Sequence, residues 1–311
     1  MLTIPMDVLE QFPVRKSKKQ KQAFRDAVQS YVTGLGYKFR VEKGSMGCMN
    51  VVIGDPEGAL YLITAHYDTC ARMLLPNLVT PFNLLAFLLY QLLLVAVLIL
   101  GAMIPGVAVG VICESAQVGA QVGVLVYWIL LLLMMAGPAN KNNANDNTSG
   151  VVTILEMLRT LPENLRGKVC FVLFDLEEAG LIGSAAYRKA HKAATEKQLV
   201  LNMDCVGDGN ELMLIPGKKV RRNKERMTHL CSVSGKWGCK SLNVHQKGFS
   251  IYPSDQNNFP NGVAVAAFHR SRWAGLYYSR IHTHRDTVLD QTNVNILRAA
   301  LTTLISGDAA K

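Results

Sequence analysis

Apolar and polar positions alternate with different periods in different parts of the chain. Over residues 19–35, Phe24, Val28, Tyr31, Val32 and Leu35 recur at three- and four-residue spacing, which predicts a helix with one buried face, ending at Gly36. Short apolar runs at 51–53, 59–65, 169–174, 199–203 and 263–268 have the length and composition of strands. Helical patterns at 151–161 and 293–305 lie between and after them. Strands alternating with helices predict a layered α/β domain.

The middle of the chain follows neither pattern. Residues 73–140 carry one charged side chain, Glu114, and within them residues 81–104 and 118–136 are uncharged throughout. Each run is near the ~20 residues needed to cross a bilayer core, so two membrane spans are expected, with Pro105, Gly106, Gly110, Glu114, Ser115 and Gln117 in the turn between them. Tyr127 and Trp128 sit inside the second run and mark no interface. The organisation this predicts is a discontinuous domain, 1–75 and 139–311, interrupted by an inserted helical hairpin, 76–138.

Composition changes the picture in one respect. The chain has 311 residues, is half hydrophobic and only 18% charged, with a formal charge of +10. The apolar block accounts for the dilution, because the rest of the chain has an ordinary charge density. A disordered chain and a pure multi-span membrane protein are both excluded. Arg72 and Lys141 flank the block and Glu114 alone lies in its loop, so the positive-inside rule places the large domain on the cytoplasmic side. No apolar stretch with a small-residue cleavage site opens the chain, and no secretory signal is expected; the start is instead basic, with Arg15, Lys16, Lys18, Lys19 and Lys21. Seven cysteines without a CxxC fit a reducing compartment. Gly106/Gly110 and Gly119/Gly123 have the GxxxG spacing that permits close helix approach, which would allow a homo-oligomer through the hairpin. The basic run 218–226 comes with no nucleic-acid motif and reads as a solvated or anionic-lipid-facing surface.

Acids and histidines gather at the ends of the apolar runs. His66-Tyr67-Asp68 follows the run 59–65, Asn145-Asp146-Asn147 precedes Ser149-Gly150 at a helix start, Glu177-Glu178 follows 169–174, Asp204 follows 199–203, and His282-Thr283-His284-Arg285-Asp286 lies near the C-terminus. Strand ends are where an open α/β sheet collects its ligands. A His, Asp, Glu, Asp, His inventory suits two zinc ions sharing a carboxylate, and the paired glutamates offer one ligand and one free base.

The segments ITAHYDT, NANDNTSGV, VLFDLEEAGLIGSAAY, LNMDCVG, SDQNNF and HTHRDT resemble the successive motifs of the M28 zinc metallopeptidases, which include leucyl-type aminopeptidases and glutamate carboxypeptidases. The resemblance covers roughly 19–75 and 139–311 and implies a three-layer αβα domain with a mixed sheet. It implies that His66 and Asp204 bind one zinc, Glu178 and His282 the other, and Asp146 bridges them. Glu177 would be the general base and Asp68 would orient His66. Gln256 stands where many relatives have His. The single-zinc glutaminyl cyclases of the same group are a poorer match, because all five ligand positions are kept. Tyr252 could donate to a developing oxyanion. The implied reaction is metal-assisted hydrolysis of a peptide or N-acyl amino acid amide, with an aminopeptidase on short peptides in the lead, a deacylase or carboxypeptidase next, and a catalytically silent membrane scaffold as the alternative of another class. Because His66 and Asp146 must meet at one site, the intervening block crosses the membrane an even number of times. Pro138 and Asp146 are separated by at most ~28 Å of extended chain, so the site lies close to the membrane surface.

Overall fold

The computed structural model describes residues 5–73 and 75–307. Ten strands form one mixed sheet: β1 (Phe39–Lys43), β2 (Met49–Ile53), β3 (Tyr61–His66), β4 (Val169–Phe174), β5 (Leu199–Met203), β6 (Glu211–Pro216), β7 (Gly235–Trp237), β8 (Lys240–Val244), β9 (Gly262–Ser271) and β10 (Gly275–Tyr277). They lie in the order β1-β2-β4-β3-β5-β9-β6-β8-β7, with β10 paired to β9. The central run β4-β3-β5-β9 is parallel, while β1, β2, β6 and β7 make antiparallel pairs towards the edges.

β3, β4 and β5 are buried at every position, which is why their sequences read as near-continuous apolar runs, broken only by Thr64, the terminal His66 and Asn202. Alternate side chains go to opposite faces. Ile63, Phe171 and Leu201 pack in the larger core with Phe24 and Val28 of α1 (Lys18–Gly34) and with apolar residues of the helices Ser149–Thr160 and Gln291–Gly307. Leu62, Val172 and Val200 pack on the other face with Tyr187 and Phe259. Helices on both faces of the sheet give the three-layer αβα architecture.

The basic N-terminal stretch turns inward. Ser17 caps α1 in a reciprocal capping box with Gln20. Arg15, Lys21 and Arg25 are buried. The Arg15 guanidinium donates to the Tyr67 carbonyl (2.6 Å), the Phe12 carbonyl (2.7 Å) and the Thr148 hydroxyl (3.0 Å). Lys21 pairs with Asp175, which also accepts from the Met49 amide. Removing one side of such a buried pair leaves an uncompensated charge, so Lys21→Met is expected to destabilise the domain by roughly 3–5 kcal/mol, measured by denaturant unfolding. A loss below ~1 kcal/mol would show that Asp175 finds water or another donor.

The insertion is a pair of antiparallel helices, α2 (Leu84–Ile112) and α3 (Ala116–Ala136), both long and apolar enough to cross a membrane and with only 11% and 6% of their most apolar windows buried. The helix runs eight residues past the expected end at 104, through Pro105 and the two glycines, so the turn shrinks to residues 113–115. In an apolar setting an open turn would leave main-chain groups without partners, and continuing the helix satisfies them. Ser115 caps α3 by accepting from the Val118 amide. The two GxxxG motifs face each other within one chain: a Cβ on Gly106 would sit 2.8 Å from the Gly119 carbonyl, and one on Gly119 would sit 2.9 Å from the Gly110 Cα. The close approach that the sequence offers to a dimer is thus used inside the hairpin. At the foot, Ala71 bridges Ala139, the Arg72 amide donates to the Pro138 carbonyl (2.8 Å) and the Asn140 amide to the Cys70 carbonyl (3.0 Å), so the chain leaves and re-enters the domain at one point.

Candidate active site

Three neighbouring parallel strands present their C-terminal ends side by side. β3 ends on His66, β4 leads into Glu177 and Glu178, and β5 leads into Asp204. Asp146 comes from the turn Ala144–Thr148 before α4 (Ser149–Thr160), and His282 from the loop after β10, where it adopts a left-handed φ of 61°. The five expected ligands therefore converge from five segments spread over more than 200 residues of sequence.

The Asp146 carboxylate is the centre of the cluster. Its Oδ1 lies 3.1 Å from His66 Nε2 and its Oδ2 lies 3.0 Å from His282 Nε2. On the first side, His66 Nε2 is also 3.8 Å from Asp204 Oδ1 and 4.0 Å from Glu177 Oε2. On the second, His282 Nε2 is 3.4 Å from Glu178 Oε2, and Cys70 Sγ falls in the same group of donor atoms. Two imidazole-carboxylate groups thus share one bridging carboxylate.

The surrounding main chain is held by residues that sequence reading placed differently or passed over. Asp68 Oδ1 faces His66 Nδ1 at 3.5 Å, and its two oxygens also accept from the amides of Glu177 (3.1 Å) and Glu178 (3.2 Å). It holds the glutamate pair in place. Asp286 does the same for the bridge, accepting from the amides of Asn145 (2.7 Å) and Asp146 (3.0 Å). Asn145 in turn accepts from the amides of Gly207 (2.7 Å) and Asp208 (3.1 Å), fastening the turn to the chain beyond β5. Gly150 is required here by space, since a Cβ would come within 2.5 Å of the Met203 carbonyl. Asp286 stood in the HTHRDT segment, but no spacing rule distinguishes an acid that ligates from one that holds a ligand's backbone.

Tyr252 is near the cluster but committed elsewhere. Its hydroxyl donates to the Asp204 carbonyl (3.0 Å) and accepts from Tyr278 (3.2 Å), and its ring packs edge-on against Phe268. Gln256 accepts from Asn202 (3.1 Å) and donates to the Tyr252 carbonyl (2.7 Å), so the amide has a structural place in the wall. His284 offers its carbonyl to Asn142. In the basic run, Arg221 donates to the Gly248 carbonyl, Arg226 to the Lys197 carbonyl, and Lys219 pairs with Glu196.

Electrostatically the cluster is overloaded with negative charge. Among the described residues, the ion-pair partners of Asp146, Glu177, Glu178 and Asp204 are histidines only. Burial, reinforced by Asp146, pushes Glu178 up to about 8, and burial together with Glu178 holds Glu177 well above the carboxylate range. Burial works against a charged His282, but Glu178 and Asp146 outweigh it and raise the imidazole to about 9. Burial raises Asp286 to about 7, with the Asp146 charge adding to it. Among the described residues, buried Glu178 Oε1 and His66 Nδ1 have no hydrogen-bond partner within normal range. Divalent cations relieve such a crowd of acids, and imidazole with carboxylate is the donor set zinc takes. The residues present fit the group.

Comparison with known proteins agrees with this reading of the fold. Among curated proteins no sequence matches the chain. Solved structures of similar shape include Porphyromonas gingivalis glutaminyl cyclase (TM-score 0.62, 14% identity, 98% of this chain and 96% of that one) and a Zn-dependent exopeptidase from Parabacteroides distasonis (0.60, 14%, 97% and 94%). The Legionella pneumophila LapA aminopeptidase is a third (0.59, 13%, 99% and 71%). At such identities the likeness establishes the zinc-exopeptidase fold. The model of peptidase family M28 matches residues 50–305, most of the chain, and the protein belongs to that family.

Proposed function

We propose that this protein is a membrane-anchored dinuclear zinc exopeptidase that hydrolyses amide bonds, with short peptides bearing a free N-terminus as the leading substrates. The observation that carries the proposal is the division of the Asp146 carboxylate, one oxygen towards His66 and one towards His282, at 3.1 and 3.0 Å. In this reading His66 and Asp204 hold one zinc, Glu178 and His282 the other, and Asp146 serves both. Bound there, the two ions polarise the amide carbonyl and acidify water. Glu177 is left free to take the water's proton and return it to the leaving amine, and Asp68 keeps its main chain in register through the amide bond of 3.1 Å.

The test is metal content measured beside products from a peptide panel. About two zincs per chain are expected, with release of the first residue and loss of turnover on chelation. One zinc per chain, or closure of N-terminal glutamine with loss of ammonia, would favour the chemistry named for the glutaminyl cyclase neighbours. Full turnover without metal would overturn the proposal.

The same proposal places the hairpin across the membrane and the catalytic domain in the cytoplasm. Lys16, whose ammonium donates to the Met135 carbonyl at the foot of α3, and Arg72 supply the positive flank. Two apolar spans hold independently of ionic strength, so the protein should stay with membranes through high salt and alkaline washing. Cys113 in the hairpin turn and Cys239 between β7 and β8 are both exposed and free. In single-cysteine variants an impermeant maleimide should reach Cys113 from outside intact cells and Cys239 only after lysis. The reverse pattern would invert the topology, and release by salt alone would remove the spans.

A further inference from the structure

The two hairpin helices are unequal. α2 has 29 residues and α3 has 21, and they are joined by a turn of three, so the excess of eight projects at the foot, about 12 Å at 1.5 Å per residue. That lower part of α2 is not covered by the domain: Leu85 is 68% exposed and Leu89 57%. Beside its first turn stands Trp273, 91% exposed, whose carbonyl accepts from the capping Asn83 at 3.2 Å. Bare leucines over two turns and a bare tryptophan at their base mark the level the bilayer interface reaches. A bilayer that covers them also brings lipid to the shorter helix's foot, where the chain re-enters the domain.

At that foot the helices part. Above, the glycine crossing closes them together; below, a cleft of about 660 Å³ opens between Leu98 and Gly101 on α2 and Leu130 and Leu133 on α3, with Arg72 and Met73 at its mouth. The mouth is also a wall of the active site, because the Met73 amide donates to the His282 carbonyl at 2.7 Å, and Cys70, three residues earlier, lies among the donor atoms of Glu178 and His282. An apolar slot, a single cationic side chain at its rim and a hydrolytic cluster behind the rim occur in that order.

We infer that the site also takes a bilayer-borne N-acyl amino acid or N-acyl peptide, its acyl chain in the cleft between α2 and α3 and its amide at the acid cluster. The inference rests on the hydrolase reading above and names its substrate class. Water adds across the carbonyl C–N bond; the products are a fatty carboxylate, which stays with the membrane, and a free amine, whose nitrogen receives the proton carried by Glu177. Binding energy from the chain, remote from the reacting bond, serves to position the amide.

The experiment uses the full chain in phosphatidylcholine–phosphatidylglycerol nanodiscs with mixed amino acids carrying N-acetyl, N-octanoyl or N-myristoyl groups. Free-N-terminus dipeptides run alongside. Wild type should show kcat/KM rising from acetyl to myristoyl by about tenfold or more. Partition into the bilayer contributes equally in every variant, so the decisive measurement is the ratio in Gly101→Leu, whose added side chain grows towards Leu130, 3.6 Å from the Cβ position. That ratio should collapse, and Leu133→Trp should behave alike if Gly101→Leu fails to fold. An identical chain-length ratio in wild type and both variants, or hydrolysis of dipeptides alone, would overturn the inference and leave the hydrolase reading intact. Zinc-loaded protein that hydrolyses no amide would overturn both.

Discussion

Asp146→Ala should abolish turnover and lower occupancy at both metal positions together. One carboxylate faces both imidazoles, at 3.1 and 3.0 Å, so its loss opens each half of the site and leaves His66 with Asp204 and His282 with Glu178 as unconnected pairs. Residues that merely support a ligand typically cost 10–100-fold in metal affinity or activity when changed, and a shared ligand should exceed the upper end of that range. Asp286→Asn provides the supporting comparison. Its amide keeps one acceptor for the Asn145 and Asp146 main chain where the carboxylate had two, and the expected loss lies within the 10–100-fold range. Zinc measured by elemental analysis, with competing chelator, decides the matter: full occupancy and activity in Asp146→Ala would remove it from the bridge.

Glu177→Gln should keep both metals and lose roughly 10²–10⁴-fold in kcat, because the amide preserves shape and hydrogen bonding but cannot accept the proton. Glu178→Gln should do the opposite, disturbing metal first, since Glu178 Oε2 is the carboxylate atom 3.4 Å from His282 while Glu177 stands 4.0 Å from His66. The two glutamates are adjacent in sequence and their amides are bonded to the same Asp68, so a general disturbance of the loop would affect both alike. Opposite phenotypes therefore separate chemistry from scaffolding. If the mutants exchanged behaviour, base and ligand would exchange with them.

The parts of this protein that were legible in its sequence share a physical cause. β3, β4 and β5 are buried on both faces, so nearly every position is apolar, Thr64 and Asn202 excepted, and each run announces itself; the turn from such a run to His, Glu or Asp then marks where the strand leaves the core. The hairpin declared itself by length and lack of charge alone. Strands at the sheet's margins did not. β1 alternates charged and apolar residues on an edge, β7 is exposed throughout, and β8 pairs only with β6 and β7. Nothing local distinguishes them from loops.

What the sequence by itself determined is which residues can ligate and where the chain carries two runs long and apolar enough to cross a membrane, since both follow from the kind of side chain and the length of a run. Only the tertiary structure decided how those residues are shared. It gave Asp146 to two histidines, set Asp68 on the glutamate amides as well as beside His66, spent the Tyr252 hydroxyl on a carbonyl, and drew Arg15 and Lys21 of the basic start into the core. It also matched the four glycines of the hairpin to one another and set the Met73 amide on the His282 carbonyl. Sequence specifies donors and acceptors, but which donor meets which acceptor is settled when buried polar groups must all be satisfied at once, and that condition exists only in three dimensions.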